Sequence, residues 1–153
     1  MEKSSVTHAT FTIERTYPVT PDQVFAAFAD PAKKRRWFFP EQGAQVEEHE
    51  MNFHVGGAER KTFRVEQGMS CRNETFYQDI VPDERIVFAY TMSVEGRPIS
   101  SSQSTVELLP DGKKTRLLFT EQAAFFEGAD GPEMRQSGWN SLFTRLNSQF
   151  AQS

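Results

Sequence analysis

The chain has 153 residues, one cysteine and a formal net charge of -4, a length that suits one domain able to bury a core without disulfides or metal. With a mean hydropathy of -0.58, no stretch approaches the ~20 apolar residues of a membrane span, and a pI near 5.4 argues against nucleic acid, which wants a basic stripe. Residues 1–5 carry no apolar signal segment, and the single Cys71 fits a reducing, cytoplasmic setting.

Residues 7–18 alternate, with Phe11, Ile13 and Tyr17 on one parity and Thr10, Thr12, Glu14 and Thr16 on the other, the pattern of a half-buried strand. Thr20-Pro21-Asp22-Gln23 then starts a helix: Thr20 can cap, Pro21 suits the first helical position, and Gln23 completes a capping box. Val24, Phe25 and Phe28 follow at helical spacing. Asp30-Pro31 restarts a second short helix that runs through Trp37-Phe38-Phe39 and stops near Pro40.

The rest reads as strands until the last segment. Residues 44–49, 52–55 and 58–65 are short strand pieces, broken by Gly56-Gly57, which suggests a bulge or a close backbone approach. Gln67-Gly68 is a hairpin turn. Residues 70–81 put Phe76 and Ile80 on one face. After the Pro82-Asp83-Glu84 turn, Ile86, Phe88, Tyr90 and Met92 share a parity. Gly96-Arg97-Pro98 turns the chain into 101–109, with Ser104, Val106 and Leu108 together. Pro110-Asp111-Gly112 turns it into 115–122, with Leu117, Phe119 and Glu121 together. Asp130 can cap a final helix with Pro132 in its first turn, whose Trp139, Leu142, Phe143, Leu146 and Phe150 form one 3.6-period face. The expected architecture is α+β: a curved antiparallel sheet of about six to seven strands covered by the long C-terminal helix, with two short helices after the first strand. Residues 1–153 form one domain, its core at about 8–150.

That order is the helix-grip arrangement of the START-like, or SRPBCC, superfamily. Five strings in sequence, "FTIERTYPVTPDQVFAAFADPAKKRRWF", "FHVGGAERKTF", "YQDIVPDERIVFAY", "DGKKTRLLFTEQ" and the late Gly138-Trp139, resemble the AHSA-like family, named for an activator of a heat-shock-chaperone ATPase. The resemblance covers residues 8 to about 150. It implies a space between sheet and helix and leaves its contents open, since fold does not specify function.

Few residues carry a chemical motif. His49 and His54 lack metal-site spacing, so no metal and no cofactor is expected. Ser100 to Ser104 has no nucleophile elbow, and Cys71 has no activating motif. Lys33, Lys34, Arg35 and Arg36 read as a solvated basic face. Glu121 shares a parity with Leu117 and Phe119. It lies inside, where burial raises its pKa or a cation partners it, or beyond the strand's end in water. Glu59 and Arg60, beside the double glycine, are similar candidates.

The aromatics are the compositional signal: 14 Phe, two Trp and three Tyr in a chain only 37% hydrophobic. Parity places Phe11, Phe63, Phe76, Phe88, Tyr90 and Phe119 toward the helix, with Trp37 and Phe38 or Phe39 at the rim and Trp139 and Phe143 descending from the helix. The expected ligand-binding set is Trp37, Phe39, Phe63, Phe76, Phe88, Tyr90, Ser104, Val106, Phe119, Glu121, Trp139 and Phe143. These rings fill the space or line it. A dry ~200 Å3 void would cost about 5 kcal/mol at ~24 cal/mol per Å3, much of a domain's stability. The leading expectation is noncatalytic binding of a small hydrophobic or aromatic molecule. One alternative is an interaction module acting on a chaperone ATPase through an exposed apolar or charged patch outside the cavity, such as the Lys33–Arg36 helix. Another is a cyclase- or hydrolase-like enzyme using Glu121 or a histidine. A homodimer is open.

Overall fold

The computed structural model describes residues 4–39, 45–64 and 68–150; Pro40 and the expected Gln67 turn position fall outside them. The elements run β1 (Val6–Tyr17), α1 (Pro21–Ala29), α2 (Pro31–Phe38), β2 (Gln45–Met51), β3 (Ala58–Arg64), β4 (Ser70–Val81), β5 (Arg85–Val94), β6 (Arg97–Asp111), β7 (Lys114–Phe126) and α3 (Pro132–Ser148). The seven strands form one sheet in the order β1-β7-β6-β5-β4-β3-β2, every neighbouring pair antiparallel. This is the expected α+β helix grip. No described helix is long and apolar enough to cross a membrane.

The helix starts use different chemistry from that expected at two of three places. At α1 the Thr20 hydroxyl bonds the Asp22 carboxylate and no capping box forms; the Thr20 carbonyl takes the amides of Gln23 and Val24 instead. Asp30 does cap α2, accepting from the Ala32 amide at 2.9 Å. At α3 the cap is Gly131, whose φ of 88° suits a residue without Cβ. Asp130 is thereby released to bind Arg135.

The strands differ from expectation mainly at their ends. Residues 52–55 are a turn: the Asn52 amide bonds the Ala58 carbonyl and the Gly57 amide bonds the His54 carbonyl. The close approach expected at Gly56-Gly57 is present. A Cβ on Gly57 would stand 2.1 Å from the Asn52 carbonyl oxygen. Strand β7 continues five residues past Glu121, to Phe126.

In β4 the register slips between Tyr77 and Asp79, and this bulge corrects the Phe76 expectation. Before it, odd positions face the helix; after it, even ones do, because one inserted residue inverts the alternation. Phe76 is therefore outward and 45% exposed, Tyr77 is buried, and Ile80 packs on the core.

The sheet interior is divided lengthwise. One end is apolar: Ile13, Ile86, Val106, Leu108, Leu117 and Phe119 meet Val24 and Phe28 of α1, Trp37 of α2 and Phe143 of α3. Trp37 stacks 6.4 Å from Phe143, and its indole N–H donates to the Ala27 carbonyl. The other end is polar. Cross-strand partners run Glu59–Thr75–Tyr90–Ser102 and Lys61–Asn73–Met92–Ser100 on the face beneath α3.

Candidate functional site

Aromatics close the apolar end and leave space at the polar end. Trp139 is the divider. On one side it packs against Phe119 at 4.6 Å and Phe143 at 5.5 Å. On the other it borders a cavity of ≈ 400 Å3 that runs along α3 from Met134 to Arg145. Phe63, Tyr90 and Met92 of the sheet and Phe38 of α2 form the facing wall. A recess of ≈ 20 Å3 continues inward past Asn73 and Thr75, room for about one water.

Of the expected binding set, Phe63, Tyr90 and Trp139 border this cavity. Trp37, Val106, Phe119 and Phe143 are fully buried core, and Phe88 lines only the small recess. Phe39 stands edge-on to His49, 5.2 Å away. Phe76 is on the opposite face of the sheet. Ser104 and Glu121 are buried beneath Tyr90. The rings therefore fill one end and line the other.

Glu121 is inside, 0% exposed, because β7 does not end before it. Burial raises its pKa; the Tyr90 hydrogen bond, the Arg135 charge and the Ser104 hydrogen bond act against that. Its oxygens accept from the Tyr90 hydroxyl at 2.9 Å and from Ser104 at 3.1 Å. Arg135 Nη1 stands 3.8 Å away. Tyr90 also accepts from Arg135 Nη1 at 3.0 Å and from the Trp139 indole at 3.2 Å. One hydroxyl with one donation and two acceptances is fully used. Burial, then the neighbouring Glu121 charge, pushes this phenol above its ordinary range. Arg135 is itself held by Asp130 through two 2.8 Å bonds and by bonding Ser100 at 2.9 Å. The carboxylate–phenol–guanidinium chain is thus saturated by protein groups and braces α3 against the sheet.

A second buried cluster lies at the β2–β3 side. Glu59 takes Lys34 Nζ at 2.7 Å, His49 Nε2 at 2.9 Å and the Tyr77 hydroxyl. Burial alone would raise its pKa, but the Lys34 charge and these hydrogen bonds outweigh that and hold it down to about 2. Arg35 Nε donates to His49 Nδ1, so Nε2 carries the ring proton and donates to Glu59. The expected basic face of α2 is consequently split. Only Lys34 is buried, while Lys33, Arg35 and Arg36 remain in solvent, Arg35 reaching across to His49. Arg60, the other candidate beside the glycines, points outward to Glu74 and Glu50. His54 is exposed in the turn, apart from buried His49. Cys71 is buried, and burial raises its thiol pKa, the opposite of activation.

Lys61 escaped the sequence reading. It lies between Glu59 and Phe63 on the same parity, and that shared parity was the available signal. Only 4% exposed, its ammonium donates to the Phe38 carbonyl at 2.9 Å and sits 3.8 Å from the Phe38 ring centroid and 5.1 Å from that of Phe63. Burial, then the Lys34 charge, lowers its pKa to about 7. Arg135 and Asn73 were likewise not anticipated, and Met92, on the same parity as Tyr90, was left out of the expected binding set.

The family described as Activator of Hsp90 ATPase homolog 1-like protein matches residues 18–151. Among solved structures, the Mll3558 protein of Rhizobium loti is 48% identical with a TM-score of 0.87, over 95% of this chain and 99% of that one. A protein of Rhizobium leguminosarum is 31% identical with a TM-score of 0.94, over 99% and 100% of the two chains. An AHSA1 protein of Silicibacter pomeroyi, 22% identical over 94% and 98% with a TM-score of 0.75, shares the fold. No curated protein matches the chain. With the helix-grip sheet, the five sequence strings and a match over most of its length, the chain belongs to the AHSA-like family of the SRPBCC superfamily.

Proposed function

We propose that this protein binds a small apolar or aromatic molecule, without turning it over, in the cavity between α3 and the sheet. The observation that carries this reading is the ≈ 400 Å3 space walled by Phe38, Phe63, Tyr90, Met92 and Trp139. Small-molecule sites are typically concave, mostly apolar and furnished with a few polar groups. Binding is favoured over catalysis because the nearest carboxylate–phenol pair, Glu121 and Tyr90, is consumed by internal hydrogen bonds. It is favoured over docking on a chaperone through α2 because Lys34, in the middle of that basic run, is buried and paired with Glu59. The setting is taken as cytoplasmic.

Trp139 provides the readout. Titration with neutral 2-naphthamide should change the tryptophan emission of the wild type and of Trp37→Phe, and should leave Trp139→Phe silent. The same probe should raise the melting temperature, since a ligand at 100 times its Kd stabilises a fold by about 2.7 kcal/mol. Unchanged emission and melting temperature with both 2-naphthamide and 2-naphthoate up to millimolar concentration would overturn the reading.

A further inference from the structure

The cavity is not electrically neutral. Its wall carries Lys61, Arg135 and Arg145, against one acid, Asp130. Asp130 is occupied by Arg135 through both of its oxygens. Glu59 is occupied by Lys34, His49 and Tyr77, and Glu121 by Tyr90 and Ser104. Among the described residues Lys61 and Arg145 form no ion pair. The whole chain is acidic, so this is a local inversion of sign in an otherwise negative molecule.

Lys61 is the more telling of the two. A lysine is rarely buried without a partner, and the desolvation of its ammonium is met here only by one carbonyl and aromatic faces. Directly across the β3–β4 ladder stands Asn73, whose side-chain oxygen is buried with no hydrogen-bond partner among the described residues. Two under-satisfied polar groups thus lie side by side where the cavity meets the sheet. A core residue serving only stability would be better replaced by an apolar one of similar volume.

We propose that the ligand is an aromatic or apolar monocarboxylate, its rings against Trp139 and Phe63 and its carboxylate paired with Lys61, with Arg145 adding positive field from α3. This deepens the cavity-binding reading and rests on it. A neutral molecule of the same shape fills the same walls but leaves the ammonium unpaired. The groups that set the charge state of Lys61 are Lys34 from α2, Glu59 on its own strand, Arg145 from α3 and Cys71 from β4. None of the acids is free to take the place of a ligand carboxylate. Because an anion favours the charged amine, uptake of the acid above about pH 7 draws in a proton.

The experiment compares 2-naphthoate with its uncharged isostere 2-naphthamide by calorimetry on the wild type, Lys61→Met and Lys61→Arg. The expected result is a preference of roughly tenfold or more for the acid, lost in Lys61→Met and retained in Lys61→Arg. In the wild type the affinity for naphthoate should fall as pH rises from 7 to 9, by no more than tenfold per unit, and naphthamide affinity should stay level. Lys61→Gln serves where the Met variant fills the cavity or fails to fold. Equal affinities for acid and amide, unmoved by Lys61→Met or Lys61→Gln, would overturn the carboxylate assignment and leave the cavity reading standing. Binding of neither probe would overturn both.

Discussion

At the scale of single residues, the buried charges of β3 set the pH response. Glu59 is held to about pKa 2 against an ordinary 4.5. Its folded value is depressed, so its contribution to stability is complete above about pH 4.5 and is lost as pH falls toward 2. Urea midpoints measured across pH 2–6 should show this acid limb. Glu59→Gln should flatten it and lower stability by about 3–5 kcal/mol, because Lys34 is left charged and buried. The double variant Glu59→Leu/Lys34→Met should recover most of the loss. Lys61 has the same sign of linkage from a different cause, burial disfavouring its charged form. Its folded pKa, about 7, lies below the ordinary 10.5, so the unfolded chain binds more protons between those values and stability rises with pH. Subtracting the Lys61→Met profile from that of the wild type should expose this rise above pH 7. An absent difference would mean that Lys61 stays protonated in the fold.

At the scale of elements, one inserted residue in β4 reassigns a face. Phe76 and Tyr77 look interchangeable by composition, yet only Tyr77 is buried and bonded to Glu59. Phe76→Ser should shift stability by no more than about 0.5 kcal/mol, whereas Tyr77→Ala should cost about 3–5 kcal/mol. Equal effects in thermal melts would contradict the bulge. The same strand shows why parity reading is reliable only between irregularities. It placed Ile86, Phe88 and Tyr90 on the inner face of β5 correctly, since that stretch pairs with β6 without a slip until Met92.

At the scale of the molecule, the grip has a closed end and an open end. Phe143 is buried against Trp37, Phe119 and Trp139, and Tyr17 donates to its carbonyl at 3.0 Å. Phe143→Ala should therefore cost about 3–5 kcal/mol. Met134, at the cavity and 69% exposed, should tolerate Met134→Ala within about 0.5 kcal/mol. Denaturant melts of the two variants test this asymmetry. A comparable loss in both would mean that the cavity end is packed as tightly as the rest.

The helix grip, the order of its elements and the inward parity of Phe119 and Glu121 were legible in the chain, because hydrophobic period and turn chemistry are local properties. So was the close approach at Gly57. Strand length was less legible: polar positions such as Ser100 and Glu121 continue a buried row only because partners on neighbouring strands and on α3 satisfy them. The bulge at Tyr77, the diversion of Asp130 from cap to Arg135, and the splitting of the α2 basic run are likewise long-range outcomes. The aromatic excess pointed to the space under α3. Whether rings filled that space depended on Lys61 and Asn73 standing opposite each other across two strands, a juxtaposition set by sheet register and invisible in either residue's own neighbourhood.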